Sequence, residues 1–238
     1  MKRKSLLAFT AIAAASMLTP LQGKAQYYEI VNQLPNLISP ALSGSMNYKG
    51  YVDATATFGV GNDRANFVGV STSQGFQYSS WFFMGAGIGV DIAMSSLSDT
   101  PAYNPGYNPG YYPGDYYPVY PAMSKTRVMI PVFSDFRFNI GSKNTSSPSL
   151  FIDIKAGATW ILGNRYLELN NGALSNRAQF LLRPSIGARI PINKNNPKNA
   201  VNVGFTYQLI TADNSWSYWG GNYGPTLSSL GVSVGYEW

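Results

Sequence analysis

The chain has 238 residues, of which 12% are charged and 14% aromatic, and it contains neither Cys nor His. Those two absences exclude disulfide scaffolds, thiol nucleophiles, Cys- or His-ligated metal centres and the Ser-His triad. Charges this sparse, about half the ~25% usual in soluble domains, leave an outer surface that is either polar but uncharged or does not face water.

Residues 1–25 read as a secretory signal. Lys2, Arg3 and Lys4 precede an apolar run from Leu6 to Leu18, and Gly23-Lys24-Ala25 has the small-x-small form of a cleavage site before Gln26. Four of the 17 basic residues (Lys2, Arg3, Lys4 and Lys24) lie in this segment, leaving 13 against 11 acidic ones. The net charge of +6 is therefore no sign of a nucleic-acid partner, and none is expected. No Cys follows the site, so a lipoprotein is not expected either. Residues 26–49 form an N-terminal extension. There Ile30, Val31, Leu34, Leu37 and Ile38 have helical spacing interrupted by Pro35 and Pro40, so a short helix or a partial plug is expected.

From residue 50 to 238 the chain alternates with period two, and no stretch is long and apolar enough for a transmembrane helix. Eight strands are predicted near Tyr51–Val60, Ala65–Tyr78, Trp81–Met94, Arg127–Ile140, Ser149–Leu162, Arg177–Ile190, Ala200–Ala212 and Thr226–Trp238. Each reaches the ~9–11 residues of a tilted membrane strand, and their number is even, as single-chain bacterial barrels require. The connections alternate in length. Gly61–Arg64, Ser95–Lys125, Gly163–Asn176 and Asp213–Pro225 are the odd ones; Ser79–Ser80, Gly141–Pro148 and Pro191–Asn199 are the even ones. Apart from a brief first one, this is the pattern of long outside loops and short periplasmic turns. The predicted fold is thus an all-β, eight-stranded antiparallel up-and-down transmembrane barrel.

One face of these strands carries Val52, Ala54, Phe58, Phe82, Met84, Ile88, Val90, Ile130, Val132, Ile152, Ile154 and Ile186 with no charge, as hydrocarbon contact demands. The other collects Asp53, Asp91, Asp135, Asp153 and Glu237 with Arg127, Arg137, Lys155, Arg183 and Arg189, beside a glycine row at Gly85, Gly87 and Gly89. Five acids against five bases in a narrow lumen predict an internally paired network, because unpaired buried charges cost several kcal/mol each. A soluble barrel with an apolar interior shares the same period, and the glycine row, a poor soluble surface, argues against it. Tyr78, Phe82, Phe138, Tyr236 and Trp238 fall at strand ends on the predicted periplasmic side and fit one aromatic girdle.

The third connection holds three tandem Tyr-x-Pro-Gly units, at residues 103–106, 107–110 and 111–114, within a segment flanked and punctuated by six prolines. Pro-Gly suits the centre of a type II turn, so Tyr103, Tyr107, Tyr111, Tyr112, Tyr116, Tyr117 and Tyr120 should be displayed on a chain of turns. Two readings stand: a surface for an extracellular protein or glycan, and a partnerless tether that shields the surface. Other motifs say little. Gly85-x-Gly87-x-Gly89 is not followed by a helix, Asn144-Thr145-Ser146 falls in a predicted turn, and Asp99 and Asp213-Asn214 are too few oxygens for calcium.

Tyr48-Lys49-Gly50-Tyr51-Val52-Asp53, Thr57-Phe58-Gly59-Val60-Gly61, Ser71–Tyr78, Trp81–Gly87 and the closing Val232–Trp238 resemble the small outer-membrane β-barrels of the OmpA/OmpX type, most closely the Bacteroidota version. The resemblance spans essentially the whole chain after residue 25. It implies a bacterial outer-membrane location, with loops at the cell surface and outer-membrane lipid around the barrel. It also makes Val232, Val234, Tyr236 and Trp238 look like the signal read by the barrel-assembly machinery. It says little about activity. No enzyme, cofactor or metal is expected. The expected role is structural or surface-interacting with a closed, charge-paired lumen; the alternative is a narrow channel for small solutes.

Overall fold

The computed structural model describes residues 47–95, 123–140, 147–170, 172–193, 196–211, 215–217, 222–223 and 226–238. The predicted signal segment, the extension before Asn47, all seven loop tyrosines, Asp99, the Asn144 sequon and Asp213-Asn214 lie outside the described residues.

Eight long strands form one closed antiparallel barrel. They are β1 (Asn47–Val60), β2 (Ala65–Gln77), β3 (Phe82–Ser95), β4 (Thr126–Ile140), β5 (Ser149–Ile161), β6 (Gln179–Asn193), β7 (Asn196–Thr211) and β8 (Thr226–Glu237). Each pairs with the next in sequence, and β1 pairs with β8 from Tyr51↔Glu237 to Val60↔Ser228. Closure leaves no strand edge, so every strand is paired on both sides. Gly61 has φ +93°, the left-handed conformation that glycine adopts without strain, and it turns the short β1–β2 connection.

All eight predicted strands are present, with shifted ends. β1 starts at Asn47, four residues before Tyr51. β6 and β7 run into the stretch read as the turn 191–199, and a register shift between Asn196 and Ala200 absorbs the irregularity. The chain there is rich in Asn, Lys and Pro and has no alternation to read.

The long connections are more structured than plain loops. Met123–Ser124, Tyr166–Leu169, Gly172–Leu174, Ser215–Ser217 and Asn222–Tyr223 are short strands that join in a second, five-stranded sheet at the long-connection end. From it Leu167, Leu169 and Leu174 enter one buried cluster with the inward-facing Phe67, Met129, Phe133, Ile161, Leu181, Ile210 and Leu227. The barrel thus has an apolar core at that end, and the small sheet lies over it.

Alternation sorts the rest. Outward-facing side chains include Phe58 (69% exposed), Phe205 (74%) and Ile88 (52%), whereas Asp135 (0%) and Arg137 (1%) are buried inside. Gly87 explains the glycine row: a Cβ there would collide with the Phe133 ring, which lies across the strand. The narrow interior thus uses missing side chains on β3 to seat large ones from β4.

Candidate functional site: the charged lumen

The inward faces of β1, β4, β5, β6 and β8 bring most of the predicted charges together below the apolar core. Lys155 on β5 donates to Asp153 on its own strand and to Asp53 on β1, both at 2.8 Å. Arg137 on β4 lies 3.3 Å from Asp153 and 3.8 Å from Asp53. Its guanidinium is also covered by rings, 4.0 Å from the Tyr51 centroid and 4.8 Å from that of Phe151. Tyr51 in turn meets Phe83 edge-on at 4.8 Å. This cation is held by two carboxylates and two aromatic faces, which offset its loss of water.

Arg183 on β6 crosses the lumen to pair with Asp91 on β3. At the short-turn end, Glu237 on β8 accepts from Arg189 Nε at 2.6 Å and faces Lys49 Nζ at 3.0 Å. Gly235 makes room on β8, since a Cβ there would strike the Asp53 carboxylate.

Three charges depart from simple pairing or from the predicted set. Asp135 is buried beside Asp153, Lys155 and Arg137; its carboxyl group interacts with that of Asp153, and no cation among the described residues pairs with it directly. Around Lys155 and Arg137 there are thus three carboxyl groups, Asp53, Asp135 and Asp153, for two cations. Arg127 stands apart from the network, at the long-connection rim, where it donates to the Leu162 carbonyl. Lys49 is missing from the predicted charges because the predicted first strand begins at Tyr51. Its signal is legible all the same, since Lys49, Tyr51 and Asp53 share one parity. With Lys49 counted and Arg127 set aside, the lumen charges among the described residues again number five bases and five acids; the ion pairs join the bases to four of the acids, and Asp135 stands beside them.

The four residues of the predicted assembly signal, Val232, Val234, Tyr236 and Trp238, all point outward along β8. Trp238 is fixed to β1 by Gly50 N–H to Trp238 O at 3.2 Å and Trp238 N–H to Gly50 O at 3.1 Å, and its ring stacks on Tyr236 at 6.1 Å. At the same end Trp81 stacks on Phe138 at 6.1 Å, Phe82 lies 5.2 Å from Phe138, and Tyr78 lies 5.8 Å from Phe82. The aromatics predicted as a girdle therefore gather at the short-turn end. A shallow apolar depression of about 380 Å³ lies between Val52, Val70, Ile88, Val90 and Ile130 on the outward face. The Thr72 hydroxyl at its wall donates to the Tyr51 carbonyl.

No family model matches the chain, and no curated protein sequence matches it. Solved structures do. Neisserial surface protein A (NspA) superposes with a TM-score of 0.46 at 10% identity over 80% of this chain and 95% of that one. The outer membrane enzyme PagL gives 0.41 at 12%, over 79% and 97%. The N-terminal β-barrel domain of Pseudomonas aeruginosa OprF gives 0.38 at 8%, over 81% and 99%. Likeness this distant assigns no role, and the functional reading of this chain rests on its own geometry.

Proposed function

We propose that the chain is a bacterial outer-membrane β-barrel with a closed, charge-paired lumen and a structural or surface-interacting role, without enzymatic activity. The observation that carries this reading is the inversion of polarity. Among the residues whose side chains are described, the outward face of the eight strands holds no charge, while the acids and bases are buried within. Hydrocarbon penalises a lipid-facing Arg or Lys by ~2–4 kcal/mol near the midplane, whereas water imposes no such rule. The short-turn end with its aromatic girdle is placed in the periplasm, and the small sheet and the Tyr/Pro/Gly segment at the cell surface. The motifs around Tyr51, Phe76 and Phe82 support the Bacteroidota version of the small outer-membrane barrels, and the closing Val232–Trp238 supports a β8 signal for the assembly machinery. The absence of His and Cys supports a non-enzymatic role.

The alternative, a narrow solute channel, draws on the amide groups of Asn202 and Gln208. These are buried in the lumen and have no hydrogen-bond partner at either polar atom, so water is their natural partner. The apolar cluster beneath the small sheet favours closure. Planar-bilayer recording on the refolded, full-length protein separates the two, with no steady unitary current expected and a steady open-channel current overturning the closed lumen. Recovery from washed outer membranes tests the location. For the surface role, replacing residues 101–121 with a Gly/Ser linker should preserve insertion and abolish attachment to host proteins or glycans; unchanged attachment would leave the segment a shield only.

A further inference from the structure

The charges at the long-connection rim are not part of the lumen network, and three of them lie on one side. Arg127 lies at the start of β4, Arg165 follows β5 and Arg177 precedes β6, three adjacent strands. Extending the β4–β5 register Met129↔Ile161 by two residues sets Arg127 opposite Gly163; the β5–β6 register Thr159↔Gln179 likewise sets Arg177 opposite Ile161. Contacts around Gly163 tie Arg127 and Asn176, the neighbour of Arg177, to this turn. Arg127 reaches the Leu162 carbonyl and comes within 2.9 Å of the place a Gly163 Cβ would occupy. The Asn176 amide donates to the Gly163 carbonyl at 3.4 Å. Arg165 and Arg177 are exposed on either side of this turn, and the acid of this loop, Glu168, sits in the small sheet. Directly below, Trp160, Leu162 and Phe180 project outward as exposed apolar side chains.

We infer that this rim is a binding site for the phosphate headgroup of an anionic lipid. Guanidinium groups offer planar paired donors that match phosphate oxygens, and Arg holds its charge at any working pH. The apolar side chains beneath give acyl chains a surface at the level where hydrocarbon begins. A free anion would need the arginines alone, whereas the lipid uses both features. The site rests on the proposed membrane orientation, because only in a membrane does this rim meet headgroups.

The test uses the full-length protein refolded in zwitterionic micelles and titrated separately with phosphatidic acid, phosphatidylcholine and inorganic phosphate, with retained lipid counted by native mass spectrometry. Phosphatidic acid should be held about tenfold more tightly by the wild type than by R165Q/R177Q, a decade being a modest return for two charge-assisted contacts. That variant keeps the structural Arg127 contact, and R127Q/R165Q/R177Q should weaken retention further if it folds. Phosphatidylcholine should bind both proteins alike, and inorganic phosphate should compete weakly. Equal phosphatidic acid retention by wild type and R165Q/R177Q overturns the site. So does inorganic phosphate matching the lipid, which would leave a simple anion site. Gel mobility before and after heating, and insertion into vesicles, are read on the same samples. Failure to insert condemns the barrel orientation, whereas normal insertion without phosphate preference condemns this inference alone.

Discussion

Lys155→Met removes the cation that ties β5 to β1 while keeping the length of the side chain. In the native lumen the ammonium meets Asp53 and Asp153 at 2.8 Å each, with all three side chains nearly inaccessible. At that distance and an effective dielectric of ~20, each contact is worth roughly 6 kcal/mol before any desolvation is charged against it. Desolvation of the ions cancels most of that gain, and removing one partner of a buried pair costs about 3–5 kcal/mol net. After the substitution Arg137 alone faces Asp53, Asp135 and Asp153, so the upper part of that range is expected. Urea unfolding in lipid vesicles, followed by tryptophan fluorescence and by loss of the heat-modifiable gel band, measures it. Pairing Lys155→Met with Asp53→Asn should recover part of the loss, because the second change removes a stranded charge. A single-variant loss under about 1 kcal/mol, with simple additivity in the pair, would mean that lumen water already solvates these groups and would refute the dry network.

Three further outcomes are expected. Asp135→Asn should leave stability unchanged or raise it, whereas Asp153→Asn should lower it by about 3–5 kcal/mol, because Asp153 is ion-paired and Asp135 is a surplus acid; the same urea titration checks both. Ile88→Arg on the outward face of β3 should cost about 2–4 kcal/mol in membranes, and a neutral result in that titration would count against lipid contact. Deleting Trp238 removes the ring and the two backbone bonds to Gly50, so the yield of folded barrel in membranes should fall more than after Trp219→Ala, as quantitative blotting of the heat-modifiable band would show.

The barrel is legible in the sequence because period two persists through all eight strands and because charge is confined to one parity. Burial on both faces blurs such a pattern; here one face is apolar and the other charged, so the phase is readable from Asp53, Asp91 and Glu237 alone. Partner assignment is not readable. Arg183 and Asp91 are 92 positions apart, and their meeting depends on how strand stagger and barrel closure place β6 opposite β3. Lys49 is easily missed because strand ends are where alternation fades, and Arg127 groups with the lumen by parity because parity says nothing about height along the barrel. The five-stranded sheet escapes sequence reading since strands of two to four residues carry too few alternations. Leu167 and Leu169 on one face of Tyr166–Leu169 are its one visible trace.

The most direct test asks whether the uncharged face meets hydrocarbon. The chain contains no native cysteine, so single-cysteine nitroxide scanning needs no background substitutions. Ala86, Ile88, Val90 and Ile92 of β3, each changed to Cys and spin-labelled in reconstituted vesicles, are measured for collision with oxygen, which concentrates in lipid, and with a water-soluble nickel chelate. High oxygen access and low nickel-chelate access are expected at all four. Nickel-chelate maxima at Ile88, Val90 and Ile92 would place that face in water and contradict the membrane barrel.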